Sequence, residues 1–447
     1  MSNENKKYTI SIITLGCRVN QYESASFTER LRSLGIEIVE PGIKCDAAIV
    51  NTCTVTAESD RKSRQMIRRA LSYADRVIVT GCYAQIESDE TAAIDGVVYV
   101  CGNNGKAQLA DNVYRILTGD YSGNTNSVEA IDAPGGGRSA VEMVTSIPER
   151  ARSFIKIEDG CENKCAYCII PKARGPVRSK LPQTVISEAR ALVSAGCREV
   201  ILTGIETASY GMDFEDRAPY GNRLADLIRE INKIDGLARI GLGSLEPTVM
   251  TDYFTTAIAE SEKALPHFHL SIQSGCSKTL AAMRRRYNAD MAVRAINKMR
   301  EKIPDATFSA DIIVGFPGET DEDFNETVEF CKNVDFLHLH IFPYSKRAGT
   351  EAAVMENQVP ENIKHIRAAK LGAVGDTLKS GILDRYLESH KSSPAKLLVE
   401  KCVDNVCLGH SEHFIEMRVA GYSAAAGDIL DVIPERHDGN ICYCRVI

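Results

Sequence analysis

Three cysteines, Cys161, Cys165 and Cys168, lie close together directly after the strand-like segment FIKIED. We therefore expect them in a loop at the end of a strand. Three thiolates can ligate three irons of a 4Fe-4S cluster and leave the fourth iron open to the amino and carboxylate groups of a small molecule. Structural zinc is the alternative, but such a site takes four ligands, and no histidine or fourth cysteine lies at the usual spacing. The spacing favours an iron–sulfur cluster.

A second set of cysteines, Cys17, Cys53 and Cys82, is spread along the chain, and each member directly follows a β-rich run. Parallel strands end at the same edge of a sheet, so these thiols can converge in one crevice. Buried core cysteines are the alternative, but three equivalent strand-end positions favour a second three-thiolate site. Cys101 also follows a strand and is a rival ligand. We interpret four other cysteines as core or incidental: Cys45, Cys197, Cys276 and Cys331.

The scaffold that must position these thiols is α/β. Four β-rich runs alternate with amphipathic helices near the start, which predicts a parallel α/β layer. Later, six strand-like runs alternate with helices, too few for an eight-unit barrel, so we expect a partial barrel with its chemistry at the C-terminal strand ends. Short strands with turn residues then predict a small antiparallel β-barrel. The expected division is 8–118 for the layer, 119–147 for a linker, 148–376 for the partial barrel and 377–447 for the β-barrel.

Composition limits the function classes. The chain has 447 residues, of which 44% are hydrophobic and 25% charged, which is typical of a globular protein with about three domains. No apolar run approaches the roughly 18 to 20 residues that span a bilayer, and the polar start does not resemble a secretory signal. We therefore expect a cytoplasmic protein without a membrane partner. Among its 15 cysteines, the clustered ones point to metal, cluster or nucleophile chemistry rather than to disulfides. The net charge of −7 argues against a globally basic nucleic-acid binder.

The run from Cys161 to Cys168 resembles the signature of radical S-adenosylmethionine enzymes, whose fold is a six-unit partial barrel. Both cysteine sets and the C-terminal β module together resemble the methylthiotransferases, which insert sulfur and a methyl group into an unactivated C–H bond. Several stretches of this sequence most resemble the subgroup that acts on threonylcarbamoyladenosine in tRNA, namely LGCRVNQYES, VNTCTVT, DRKSR, VTGCYAQ and DGCENKCAYCIIPKARG. The isopentenyladenosine subgroup has a GCQMN-like first motif, and the ribosomal-protein subgroup has GCPKN-like residues there.

This resemblance implies two 4Fe-4S clusters with different roles. Catalytic Cys161, Cys165 and Cys168 would hold the cluster that reduces S-adenosylmethionine to a deoxyadenosyl radical. The set that begins at Cys17 would hold the cluster that carries the sulfur, for transfer to C2 of the modified adenosine at tRNA position 37. The expected partners are tRNA, a reductant protein and an unidentified sulfur donor, and we expect a monomer. The C-terminal module corresponds to a TRAM barrel, which binds RNA.

The same resemblance suggests S-adenosylmethionine contacts at the strand ends. Tyr167, before the last cysteine of the loop, would pack near the adenine. The other candidates are polar residues where strands end, namely Thr203, Glu206, Ser244, Glu246, Gln273 and Asp311. Helix caps and turns are the alternative roles for such residues.

Local basic runs are candidates for RNA contacts. The first run occupies one side of a predicted helix, the second follows the cysteine loop, and the third is a triplet. Their members are Arg61, Arg64 and Arg68; Lys172, Arg174, Arg178 and Lys180; and Arg284, Arg285 and Arg286. Solvated helix faces are the alternative. Residues 376–447 carry a net charge of −3, so an RNA-binding barrel here must present a locally basic face or contribute little affinity. We expect its cysteines, Cys402, Cys407, Cys442 and Cys444, in the barrel core rather than on zinc.

Other functions stay open at this stage. A methylthiotransferase could act on isopentenyladenosine tRNA or on an aspartate of a ribosomal protein. A non-catalytic iron–sulfur electron carrier belongs to another class, but it would need fully ligated irons, and both cysteine sets lack a fourth member.

Overall fold

The computed structural model describes residues 7–128, 143–146, 151–216 and 218–447. Residues 7–128 form a parallel sheet in the order β2-β1-β3-β4-β5-β6, here called the N-terminal layer. Its strands are β1 (Thr9–Thr14), β2 (Glu37–Val39), β3 (Ala47–Thr52), β4 (Val77–Gly81), β5 (Val97–Cys101) and β6 (Asn126–Ser127). Its helices are α1 (Arg18–Ser33), α2 (Ala57–Leu71), α3 (Cys82–Ile86), α4 (Ser88–Ala92) and α5 (Leu109–Thr118).

The predicted parallel layer is confirmed, and its central strands explain why. Every residue of β3 and β4 is buried, as expected for strands that are covered by helices on both faces and therefore read as continuous apolar runs. The sequence analysis missed two short edge strands, β2 and β6. Strand β6 lies inside the segment predicted as a linker, whose residues 129–142 and 147 fall outside the described part of the chain.

Residues 153–343 form the partial barrel. Its strands are β7 (Ser153–Lys156), β8 (Glu158–Asp159), β9 (Arg178–Ser179), β10 (Glu199–Thr203), β11 (Arg239–Leu242), β12 (His267–Gln273), β13 (Thr307–Val314) and β14 (His338–Pro343). Its helices are α6 (Ile170–Arg174), α7 (Pro182–Ser194), α8 (Asn222–Asn232), α9 (Asp252–Ala259), α10 (Ser277–Ala282), α11 (Ala289–Lys302) and α12 (Asp321–Val334).

Six parallel strands confirm the predicted partial barrel. Sheets β7-β10-β11 and β12-β13-β14 are joined by the bridges Ile240↔Ala264 and Leu245↔Leu270, so the strands follow one another in chain order. Strands β8 and β9 form a separate two-stranded hairpin. Three of the covering helices, α9, α11 and α12, begin at a residue whose side chain caps the helix. In α12, for example, Thr320 accepts a hydrogen bond from the Asp323 amide while the Asp323 carboxylate accepts one from the Thr320 amide.

A single helix, α13 (Glu361–Ser389), leads from the partial barrel to the C-terminal module, and residue 376 lies inside it. The C-terminal module comprises β15 (Ala395–Val403), β16 (Val406–His410), β17 (Glu416–Ala420), β18 (Ile429–His437) and β19 (Cys442–Val446). They close a barrel in the order β15-β16-β17-β19-β18. The barrel is antiparallel except where β19 enters between β17 and β18 and pairs parallel to β17.

The cysteines of the C-terminal module belong to its core. Cys407, Cys442 and Cys444 are buried among apolar residues, and Cys402 is half-buried. Across the described residues, no three His, Cys, Asp or Glu side chains are arranged around a single metal ion. The burial of these cysteines agrees with the prediction that they lie in the barrel core. Helices long and apolar enough to cross a membrane are absent from the same residues.

Candidate active site

The loop that carries Cys161, Cys165 and Cys168 leaves the short strand β8 through a glycine. Gly160 has φ +88°, and a Cβ there would lie 1.9 Å from the Pro176 carbonyl oxygen, so only glycine fits. The Cys161 amide donates to the Gly175 carbonyl at 3.0 Å, and the Cys168 amide donates to the Cys165 carbonyl at 3.1 Å. The loop is therefore a fixed turn that gathers all three thiols, each half-buried, at one strand end.

The electrostatics of this loop suit thiolates that are stabilised by a bound cation. Burial, with a smaller contribution from the neighbouring Cys165, raises the pKa of Cys168 to about 12. Burial likewise raises the pKa of Cys161. Arg285 opposes this effect, with Nη1 lying 3.2 Å from Cys165 Sγ. Because a thiol loses its proton when it binds metal, loading this loop must release protons.

The structure also brings the second cysteine set together at one sheet edge. Cys17 follows β1 and precedes α1, Cys53 follows β3, and Cys82 begins α3 after β4. Burial raises the pKa of Cys53 first of all, and both Cys82 and Cys17 raise it further, so the three thiols share one electrostatic environment. Gly16 permits the approach, since a Cβ there would lie 2.8 Å from Cys53 Cβ.

Cys101, the rival ligand, lies apart from this group. It is fully buried in the apolar core between the sheet, α1 and α5, and its Sγ donates to the Gly102 carbonyl at 3.4 Å. Burial raises the pKa of Cys101 to about 11, and none of the other thiols contributes to that shift. The geometry therefore groups Cys17, Cys53 and Cys82 without Cys101.

The prediction that Arg174 contacts RNA is wrong, because its guanidinium is fully buried. Nε lies 3.2 Å from Cys82 Sγ, Nη1 donates to Glu23 at 2.8 Å and to Asp159 at 3.0 Å, and Nη2 donates to the Asn20 side chain at 2.6 Å. Arg174 ends α6, the short helix that follows the first cysteine loop, and it reaches into the N-terminal layer. One side chain thus connects the two thiol sites.

Buried lysines extend this network. Lys106 lies 2.5 Å from Glu23, and Lys156 lies 3.3 Å from Glu23 and 3.5 Å from Asp159. Burial alone would raise the pKa of both carboxyls. The positive charge of Arg174, followed by the charges of the lysines, instead holds the pKa of Glu23 well below its ordinary value. Arg174 and then Lys156 likewise hold the pKa of Asp159 at about 2. Both carboxyl groups are therefore ionised at neutral pH.

A cavity of about 520 Å³ lies between the three parts of the chain, within the range of small-molecule sites. The N-terminal layer contributes the start of α1, the partial barrel contributes strand residues that face its interior, and the C-terminal module contributes one ring. Its lining includes Cys17, Arg18, Thr203, Ser244, His269, Asp311, His340 and Phe414. A member of the second thiol set and polar strand ends of the partial barrel thus face one space.

Three of the predicted S-adenosylmethionine contacts, Thr203, Ser244 and Asp311, line this cavity. Glu206 and Glu246 are buried nearer the cysteine loop, where Glu246 lies 3.2 Å from Arg285.

Burial, followed by the charge of Glu246, raises the pKa of Glu206 to about 7. Gln273, at the end of β12, is half-buried with φ +67°. Tyr167 packs edge-on against Phe316, with ring centroids 6.4 Å apart.

The other residues predicted to contact RNA differ in their exposure and in their partners within the protein. Arg61 and Arg68 are exposed on α2, where Arg61 pairs with Glu58 at 2.6 Å. Arg64 is half-buried over the Tyr83 ring. Lys172 is exposed and donates to the Gly349 carbonyl at 2.7 Å. Arg178 and Lys180 are buried, so the prediction that they contact RNA is wrong.

Within the triplet, Arg285 is buried against Cys165 and Glu246, so it does not belong to a basic surface patch. Arg284 and Arg286 are exposed, as that interpretation expects.

Sequence reasoning missed several residues of the cavity. His269 and His340 alternate with apolar residues in HFHLSIQ and HLHIF, a period of two that already places them on one face of each strand. His269 lies 3.2 Å from Asp311. Arg18 carried no signal beyond its position after Cys17.

Comparison with known families and structures identifies the class of protein to which the chain belongs. The radical SAM superfamily model matches residues 155–331, and the model of the uncharacterized protein family UPF0004 matches residues 9–102. The structure of a radical S-adenosylmethionine methyltransferase from Kitasatospora setae, TsrM with cobalamin and a [4Fe-4S] cluster bound, superposes with a TM-score of 0.57 at 15% identity. The alignment covers 78% of this chain and 77% of that one, a likeness of fold. Fold and cysteine loop together define a radical SAM enzyme.

Curated relatives refine this class. The threonylcarbamoyladenosine tRNA methylthiotransferase MtaB of Bacillus subtilis is 38% identical over 95% of this chain and 93% of its own length. The protein of that name from Thermotoga maritima is 36% identical over 92% of both chains. A tRNA-2-methylthio-N(6)-dimethylallyladenosine synthase of Clostridium tetani is 34% identical over 96% of this chain and 94% of its own. The chain belongs to the radical SAM methylthiotransferase family, whose members use S-adenosylmethionine and a 4Fe-4S cluster.

Proposed function

We propose that the protein inserts a methylthio group at C2 of threonylcarbamoyladenosine at position 37 of tRNA. The observation that carries this proposal is the shared cavity, which is lined both by Cys17 and by the strand-end residues Thr203, Ser244 and Asp311. A base bound there would lie beside Cys17 of the second thiol set and the polar strand ends of the partial barrel. The names of the most similar relatives support the threonylcarbamoyl substrate.

Each thiol set fits a 4Fe-4S cluster with one open iron. Cys161, Cys165 and Cys168 would hold one cluster, and Cys17, Cys53 and Cys82 would hold a second. The thiols within each set raise one another's pKa, which supports their lying close together. When bound, the clusters and S-adenosylmethionine supply the radical that attacks an unactivated C–H bond, and the sulfur and methyl group that replace its hydrogen.

The chain's own residues bind, orient and exclude water. Thr203, Ser244 and Asp311 offer hydroxyl and carboxylate groups to ligands in the cavity. Glu206, whose pKa is raised to about 7, can hold a proton near neutral pH beside the cysteine loop. Phe414 closes the cavity with an apolar ring, which limits the entry of water to a radical reaction.

The outer face of the C-terminal module supports RNA binding despite the net charge of that region. Arg418 on β17 pairs across the sheet with Tyr443 on β19, which pairs with Arg436 on β18, so the three form one row. The Arg436 guanidinium lies 3.8 Å from the Tyr443 ring centroid. An aromatic ring between two arginines suits a stacked base with flanking phosphates. This row is the locally basic face that such a module requires.

Mass spectrometry of tRNA nucleosides from a strain lacking the gene tests the function. We expect the 2-methylthio derivative of threonylcarbamoyladenosine to disappear, its unthiolated form to accumulate, and complementation to reverse both changes. Loss of methylthio from isopentenyladenosine, or from a ribosomal protein, would instead assign the substrate of another subgroup.

Cysteine variants test the two-cluster arrangement. Anaerobic reconstitution should give about eight irons per chain, and Ala at Cys161, Cys165 and Cys168 should leave about half and abolish cleavage of S-adenosylmethionine. Ala at Cys17, Cys53 and Cys82 should also leave about half, yet preserve cleavage and abolish methylthio transfer. The matched control is Cys101→Ala, a buried thiol outside both groups, which should keep all the iron. Methylthio transfer by the second triple variant would exclude a sulfur-carrying cluster.

A further inference from the structure

Arg18 is a charged side chain in the cavity without a partner in the protein. It directly follows Cys17, begins α1, and is half-buried in the cavity lining. Within the described residues its guanidinium donates no hydrogen bond and forms no ion pair within 4 Å, and the aromatic ring recorded beside it is that of Phe154, with the centroid 5.8 Å away. Arginine stays protonated in proteins, so a positive charge faces the cavity.

The surroundings of Arg18 do not satisfy this charge. The side chain is half-buried, so its guanidinium is partly withdrawn from water. Two nearby carboxylates attract it but already have partners: Glu199 lies 2.7 Å from Arg152 and 3.5 Å from Arg239, and Asp311 lies 3.2 Å from His269. The first turn of a helix also favours anions over cations. An unpaired guanidinium held here at a cost is suited to an anionic ligand.

We propose that Arg18 binds the free carboxylate of the substrate's threonylcarbamoyl group. This inference rests on the proposed function, because that carboxylate is the one anionic group on the modified base. A guanidinium and a carboxylate form two parallel hydrogen bonds, which fix orientation as well as contribute affinity. Arg18 would thereby position the base beside Cys17 and reject bases whose modification is an uncharged hydrocarbon.

Two stem-loop RNAs that differ only in this charge test the proposal. The anticodon stem-loop carries threonylcarbamoyladenosine in one and its methyl ester in the other, and the holoenzyme's dissociation constant is measured for each. We expect the wild type to prefer the acid by about 10- to 100-fold, typical of hydrogen bonds to charged groups. Arg18→Gln should bind both RNAs equally, whereas Arg18→Lys should keep part of the preference, since it retains a charge but loses the fork. Arg32→Gln, an exposed site on the same helix, is the matched control and should keep all of it.

The ratio of the two dissociation constants is measured within one sample, so partial misfolding of a variant does not alter it. A wild type without preference, or an Arg18→Gln protein that keeps the full preference, would overturn the inference while methylthio transfer to the acid RNA still upheld the proposed function. Equal weakening for both RNAs, together with altered iron content or S-adenosylmethionine affinity, would assign Arg18 to a cofactor and also overturn it. Transfer to an isopentenyladenosine stem-loop but not to the acid RNA would refute the proposed function itself.

Discussion

Replacing Arg174 by Met removes the guanidinium that joins Glu23 of α1 to Asp159 of the partial barrel. The side chain is fully buried, and its Nη1 lies 2.8 Å from Glu23 and 3.0 Å from Asp159. Breaking a buried ion pair by removing one partner costs about 3 to 5 kcal/mol, because the remaining charge stays in a poorly solvating environment. Lys106 and Lys156 still flank Glu23, so we expect the lower end, about 3 kcal/mol, or more than a hundredfold in an opening equilibrium.

Amide hydrogen exchange along α1 measures this effect. A chain with several domains has no single free energy of unfolding, so a local opening equilibrium is the appropriate quantity. Amides of α1 that exchange only when the layer separates from the partial barrel should exchange about a hundredfold faster in Arg174→Met. The control is Arg30→Met on the same helix, which breaks an exposed ion pair with Asp111 that is worth about 1 kcal/mol at most.

The comparison of the two variants decides whether burial of the pair matters. Acceleration in Arg174→Met that does not exceed that in Arg30→Met would show that the buried network does not hold α1 against the partial barrel. The reasoning from burial to stability would then be refuted at this site.

Three further predictions follow from individual side chains. Gly160→Ala should halve the reconstituted iron content, because the added carbon would lie 1.9 Å from a carbonyl oxygen. The control is Gly42→Ala, which should keep the iron, since Gly42 also has a positive φ but no atom within 4 Å of an added Cβ. Because the native pKa of Glu206 is raised to about 7, stability should fall as pH rises from about 4.5 to 7, and Glu206→Gln should flatten this dependence of the melting temperature. Ala at Arg418 and Arg436 should lower the log–log salt slope of tRNA affinity by about 0.7 to 0.9 per lost phosphate contact, and an unchanged slope would exclude this face.

The parts of the site that could be predicted from sequence depend on periodicity and on strand ends. The runs before Cys17, Cys53 and Cys82 are continuous and apolar, so they indicated parallel strands, and parallel strands bring their ends to one edge. The six-unit partial barrel followed from the same alternation. Edge strands such as β2 and β6 were missed because two or three residues show no period.

The remaining features depend on burial, which a sequence does not display. Arginine is a residue type that often contacts phosphates, but Arg174 is buried against Glu23 and Asn20, which lie far from it in the chain. Net charge was equally uninformative for the C-terminal module, since the arginines of β17 and β18 meet only through the insertion of β19 between them. The isolation of Arg18 likewise depends on Glu199 and Asp311 having found other partners.

Through Phe414 the C-terminal module also takes part in the cavity of the partial barrel. The ring stacks between His267 of the partial barrel and His410 of the module, with centroid distances of 4.8 and 4.6 Å, and it forms part of the cavity wall. The module therefore contributes to the wall of this cavity, in addition to the RNA-binding role that we propose for its outer face. Ending the chain before residue 395 would remove Phe414 and open this side of the cavity to water. Phe414→Ala tests the contribution of the module to the cavity wall, whereas Arg436→Ala tests the RNA binding that we propose for its outer face.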